Sequence, residues 1–224
     1  VYMGIVLSFN DEFGVHKELS VKNFNKIHIN VHPEFIGIHL CYLEAFKSLK
    51  TSLSIFSSLP EIQVWKDSKL QGYCIASKFS SYLYWSEITP QSIKLLVHSF
   101  PQDEEKVELL KNAASTEFLD FLSSFHHDLN LMNPIKLQTL INRHISPKAI
   151  LALNKKYSNK PHSEISLEQL ATLLSCSRNQ LNYRNKNIYR ERQNVLDQLE
   201  KSEAIVYQLL NNTDFTLTLD QFWK

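Results

Sequence analysis

Four glycines in 224 residues are too few for a phosphate-cradling loop, because GxGxxG and GxxxxGK[ST] each gather two or three of them within a few positions. Nucleotide handling through such a loop is excluded. Three cysteines, Cys41, Cys74 and Cys176, lie far apart with no CxxC pair, and two of them sit in apolar surroundings where a free thiol behaves as a small hydrophobe. That usage suits a reducing cytoplasm. The opening run VYMGIVLSF is too short to cross a bilayer and lacks a basic leader and a small-residue cleavage site, so it reads as a buried strand, and no membrane role is expected.

Catalytic signatures are missing as well. There is no G-x-S-x-G and no HExxH. Nine histidines include the neighbours His28, His32 and His39 and the pair His126–His127, yet no cysteine or carboxylate follows them at a ligand spacing. Glu61, Lys66 and Asp67 surround an expected hairpin, but E-I-Q-V-W-K is not the E-x-K that sets both groups on one face of a strand. The expectation is a chain without catalytic residues, metal or cofactor, and not an enzyme.

What is present is ordinary globular composition, 43% hydrophobic and 21% charged. Residues 26–32, KIHINVH, alternate apolar and polar as a strand does, and Pro33 can open the helix that follows, with Phe35, Ile36, Leu40, Leu43 and Phe46 as its stripe. EIQVW and LQGYCIAS flank KDSK as a hairpin, and SYLYW at 81–85 suggests a third strand. Residues 1–102 therefore read as an α+β domain, a small mostly antiparallel sheet with a packed helix, suited to binding a partner protein or small ligand.

From Asp103 the pattern turns helical. DEEKVELLKNAASTEFLDFLSSF opens with acids and lines Val107, Leu110, Ala114, Phe118, Leu122 and Phe125 along one face. Asn133 and Ser146 each precede a proline, the order of an N-cap and a first helical residue, so two more helices follow. Beyond Ser177 no glycine or proline interrupts the chain. Leu181, Ile188, Val195 and Leu209 fall on a seven-residue grid, broken at Ser202, with Leu199 and Val206 beside it, which predicts a helix of roughly thirty residues whose stripe packs on the helix at 103–125 or against a second copy. The tail DFTLTLD alternates like a strand. Residues 103–224 read as a mainly helical domain.

Within that domain SLEQLATLLSCSRNQL, residues 166–181, holds two S-x-x-Q patterns, Ser166 with Gln169 and Ser177 with Gln180. In each, the hydroxyl can accept the N3 amide while the glutamine reaches back to the cap, so two helices start eleven residues apart. That is the size of a helix-turn-helix, which would occupy about 166–190. Leu167, Leu170 and Leu174 give the first helix an apolar face, Ala171 is small where the helices approach, and Leu181 anchors the second. The run LEQLATLLSCSR resembles the amino-terminal helix-turn-helix of the sugar-phosphate stress regulator family, which carries LA-x-LL-x-CSR at the same place. The likeness spans residues 167–178 and implies a DNA-reading module. It does not imply sugar sensing, because in that family the motif opens the chain and here it lies in the last third. That family's second helix also continues with apolar residues where this chain has Arg184 and Asn185.

Charge points the same way. Residues 134–192 hold eleven basic and three acidic residues, a net of +8, in a chain whose total is +1. Such asymmetry suits an anionic partner, and double-stranded DNA is the commonest. In the second helix Arg178 suits guanine, Asn179, Gln180 and Asn182 suit adenine, and Tyr183 can meet a thymine methyl or a phosphate. Lys186 and Arg190 further along, with Lys155, Lys156 and Lys160 in the approach, suit phosphates. The sequence thus predicts a bacterial-type transcriptional regulator with a carboxy-terminal helix-turn-helix, acting as a monomer or a two-fold homodimer. Two other readings stay open: a non-catalytic subunit of a mobile-element or genome-defence nucleoprotein complex, and an interaction subunit without nucleic acid.

Overall fold

The computed structural model describes residues 13–14, 17–22, 24, 27–49, 60–157 and 162–200. Strands β1 (Lys17–Lys22), β2 (Ile29–Val31), β3 (Glu61–Lys66), β4 (Tyr73–Ile75) and β5 (Ser92–Ser99) form one sheet in the order β1-β5-β3-β4-β2. The expected β3–β4 hairpin is antiparallel, with Trp65 facing Cys74, and so is the pairing of β1 with β5, two strands that the sequence patterns do not single out. The β5–β3 and β4–β2 pairs are parallel, so the sheet is mixed. Alternation explains β5: Ile93, Leu95 and Val97 are buried, while Lys94 points outward and bridges Glu18 on β1 at 3.0 Å and Glu61 on β3 at 3.6 Å.

Helix α1 (Ile36–Phe46) follows a single 3-10 turn opened by Pro33, whose N-cap is His32. Its core face differs from the expected stripe. Ile38, Cys41, Tyr42 and Ala45 are buried, whereas Ile36, Leu40 and Leu43 are 48%, 40% and 39% exposed. IGIHLCYLEAF is apolar nearly all round, so periodicity cannot choose the inward side; the neighbours do. One is α4, which comes so close that a Cβ at Gly37 would fall on the His144 ring.

The second correction concerns SYLYW, which is helix α2 (Phe79–Ile88) and not a strand. Its burial does not alternate: Tyr84 and Trp85 are adjacent and both buried. Lys78 starts the helix in a left-handed conformation, its amide and ammonium both held by Glu117, and left-handed Thr89 ends it by donating to the Trp85 carbonyl. Tertiary contact thus overrides the β-preference of an aromatic run.

The remaining helices are α3 (Glu104–Ser124), α4 (Pro134–His144), α5 (Pro147–Tyr157), α6 (Leu167–Leu173) and α7 (Arg178–Glu200). Asp103 caps α3 by accepting the Glu105 amide, and Asn133 caps α4 by accepting that of Lys136, as the sequence signals require. A single hydrophobic core runs without a break from Ile62 and Leu95 in the sheet, through Phe118 and Leu122 in α3, to Leu170 and Leu181 in α6 and α7. At its centre Tyr42 meets Phe118 edge-on, with ring centroids 4.9 Å apart. Among the described residues no helix is long and apolar enough to cross a membrane. The expected strands at 1–9 and 214–220, and the end of the long helix with Val206 and Leu209, lie outside the described residues.

Candidate nucleic-acid interface

The path into α6 is fixed by side chains that imitate backbone. Asn142 on α4 accepts the Ile165 amide at 2.7 Å and donates to the Ile165 carbonyl at 3.2 Å, so one amide side chain satisfies both groups of a residue outside any strand. Gln138 adds a bond to the same carbonyl at 2.9 Å. Fully buried Asn154 on α5 donates to the His162 and Glu164 carbonyls and accepts from Gln169 at 2.6 Å.

Both predicted capping boxes are present. Ser166 Oγ accepts the Gln169 amide at 3.2 Å and Gln169 Oε1 accepts the Ser166 amide at 2.8 Å. Ser177 and Gln180 repeat the arrangement at the same two distances. Between them α6 stops on Ser175, which is left-handed at φ 52°: the Ser175 amide donates to Thr172 and the Cys176 amide to Ala171. Those two bonds make a Schellman motif, normally built on glycine. Leu170, Ala171, Leu174 and Leu181 are buried where α6 and α7 meet.

Arg184, polar where the resembling family is apolar, is nevertheless buried. Its Nε donates to the Met132 carbonyl at 3.1 Å and its Nη1 reaches Glu191 at 3.3 Å. Together with Leu181 and Ile188 it forms the inward face of α7. Opposite that face, at the spacing i, i+3, i+4, i+7, runs an outward row: Asn179, Asn182, Tyr183, Lys186, Tyr189, Arg190 and Gln193. No acid interrupts it up to Gln193, whose Nε2 donates to Asp197 at 3.0 Å, one turn further along. Tyr183 and Tyr189 are 68% and 71% exposed.

Of the sequence-derived site residues, Arg178, Asn179, Gln180, Tyr183, Lys186, Arg190 and Lys155 are exposed and Asn182 is half-buried. Asn179, Asn182, Tyr183, Lys186 and Arg190 share the row. Gln180 lies off it, with Oε1 already spent on the Ser177 cap, whereas a bidentate adenine contact needs both amide atoms. The side chain of Lys156 and the whole of Lys160 lie outside the described residues. Tyr189 and Gln193 extend the row beyond the residues read from sequence. Continuing the helical spacing from Asn182 and Lys186 by seven positions finds both.

The basic excess is also divided. Lys136 faces Glu44 of α1 at 3.7 Å and Lys148 faces Glu108 of α3 at 2.5 Å, so these cations hold α4 and α5 to the acidic half of the chain. The Lys148 ammonium in turn keeps the Glu108 carboxyl below its usual range. Arg143, Lys155, Arg178, Lys186 and Arg190 have no acidic partner among the described residues.

Elsewhere the polar groups point inward. Buried Asp67 accepts from the Lys69 amide and from Gln102, and meets His32 Nε2 at 3.3 Å; burial pushes its carboxyl up, but these bonds outweigh that and leave it low. Burial raises all three thiols, Cys41 and Cys74 to about 12. Glu61 is tied to Lys94, away from Asp67's partners. Among the described residues no three His, Cys, Asp or Glu come together as metal ligands.

No family model matches the chain, and comparison with curated proteins finds no match. Among solved structures it is similar to the C2221 form of a Pnob8-like ParB-N domain, at 14% identity and a TM-score of 0.28, over 92% of this chain and 77% of that one. A likeness of that degree carries no argument, and the functional reading rests on the geometry above.

Proposed function

We propose that the chain binds double-stranded DNA through α6, the Ser175 turn and α7, and serves as a transcriptional regulator. One observation carries this reading: α7 buries Leu181, Arg184 and Ile188 and turns an acid-free row of amide, phenol and cationic side chains outward. A helix about 10 Å across fits a major groove about 12 Å wide, and asparagine, lysine and arginine are the side chains that read base edges and phosphates there. Asn179 and Asn182 read bases, Lys186 and Arg190 hold phosphates, and exposed Lys155 supplies a sequence-independent contact. The leucine face of α1, exposed at Ile36, Leu40 and Leu43, supports a protein partner for the sheet half.

Selection from random duplexes at two salt concentrations tests the assignment. A regulator enriches a short consensus, and its affinity falls steeply as salt rises. Lys155→Ala weakens all duplexes alike. Salt-dependent binding without a consensus favours the shape-reading subunit of a nucleoprotein complex, and absence of binding at low salt favours an interaction subunit.

A further inference from the structure

The turn joining α3 to α4 is braced at both ends. At one end His127, 4% exposed, forms a bridge with Leu49, its Nδ1 lies 2.9 Å from Ser48 Oγ, and its Nε2 donates to the Leu122 carbonyl at 3.2 Å. The Asp128 amide adds a bond to the Ser48 carbonyl. At the other end the Met132 carbonyl receives Arg184 Nε, the one guanidinium that α7 buries. His126, just before the first tie, and Asn130, between the two, are exposed, and they face Asn179, Gln180 and Tyr183 across a groove beside the first turns of α7.

Resting on the DNA-binding reading, we infer that this turn is the second wall of the nucleic-acid surface, with His126 and Asn130 holding the phosphodiester backbone next to the groove that α7 enters. Three features support that occupant. Both walls of the groove present hydrogen-bonding groups, the Arg184 guanidinium lines its floor, and its single acid among the described residues, Asp128, already accepts the Asn130 amide on Oδ1. The turn is already ordered by its own bonds, so little freedom is lost when a strand docks. A recognition helix alone does not set its angle in a groove; backbone contacts from a second rigid element do, and Arg184 ties this one to α7.

The test uses the full chain with its selected duplex and a scrambled duplex, between 50 and 200 mM salt. His126→Lys should steepen the slope of log K against log salt by about 0.9 on both duplexes, a further change of about 3.5-fold across that range, and leave the consensus unaltered. His126→Glu should weaken both duplexes, and Asn130→Ala should weaken both with no change in melting temperature. Equal salt slopes for His126→Lys and His126→Glu would overturn the inference while leaving α7 as the reader. Absence of duplex binding by the unaltered chain would remove both.

Discussion

Helices α3 and α7 are nearly equal in length, 21 and 23 residues, and do opposite work. Seven residues of α3 are buried, from Leu110 to Leu122, and they join the sheet to the carboxy-terminal helices. Among its described side chains α7 buries three, and beyond Ile188 only Val195 and Gln198 are even half-covered. A wide apolar face makes a spine. A narrow face leaves a helix about 34 Å long whose outer surface is free to meet something else.

The largest effect that separates the two should come from the spine. Phe118, fully buried against Tyr42, lies between the sheet and the helices, so Phe118→Ala should cost about 3–5 kcal/mol and lower thermal and denaturant midpoints for the whole chain together. A loss confined to the carboxy-terminal helices would show that the core is two cores, and the contrast between spine and outrigger would fail.

On α7 the sign of the experiment reverses. Asn182→Ala should leave the unfolding free energy within about 0.5 kcal/mol of its starting value, because the side chain has no protein partner among the described residues. Binding to the selected duplex should fall by about 1–3 kcal/mol at particular base positions and hardly at all on scrambled DNA. A destabilised variant with unchanged base preference would place Asn182 in the packing rather than in the reading.

How much of this contrast could be read from sequence depends on where a pattern is local. Both capping boxes, the proline-led starts of α4 and α5 and the acidic start of α3 are complete within a few residues, and each appears where its signature places it. Face selection is not local. In α1 the apolar residues surround the helix, so the position of α4 decides that Leu40 and Leu43 stay outside. In SYLYW the start of α2 depends on Glu117, 39 residues away. Arg184 is the clearest case at the candidate site: by residue type it belongs on a surface, and only the Met132 carbonyl, 52 residues distant, explains its burial. Net charge misleads similarly, since Lys136 and Lys148 count toward a DNA face yet spend themselves on Glu44 and Glu108.

The cap of α7 offers a smaller test that touches stability and reading together. Ser177→Ala removes the acceptor for the Gln180 amide and should cost about 1 kcal/mol. It also loosens the hold on Gln180 Oε1, which the cap now draws back toward the Ser177 amide. The duplex selected by Ser177→Ala should therefore gain a preference at a base beside those read by Asn179, visible when the two consensus sequences are compared. An unchanged consensus would mean that Gln180 faces away from the bases whether or not it caps.

The smallest effect is a gain. Ser175 pays the left-handed cost of a residue with a Cβ, about 1–2 kcal/mol, to close the turn that sets α7 against α6. Glycine would remove that cost but give back about 0.4–1 kcal/mol through the greater freedom of the unfolded chain. Ser175→Gly should thus raise stability by about 0.5–1 kcal/mol, seen as a higher denaturant midpoint with an unchanged slope. Ser175 lies outside the acid-free row that reads bases, so the selected consensus should stay the same. A lower midpoint would show that the serine side chain itself supports the turn, and a stabilised chain with an altered consensus would show that this joint sets which bases α7 meets.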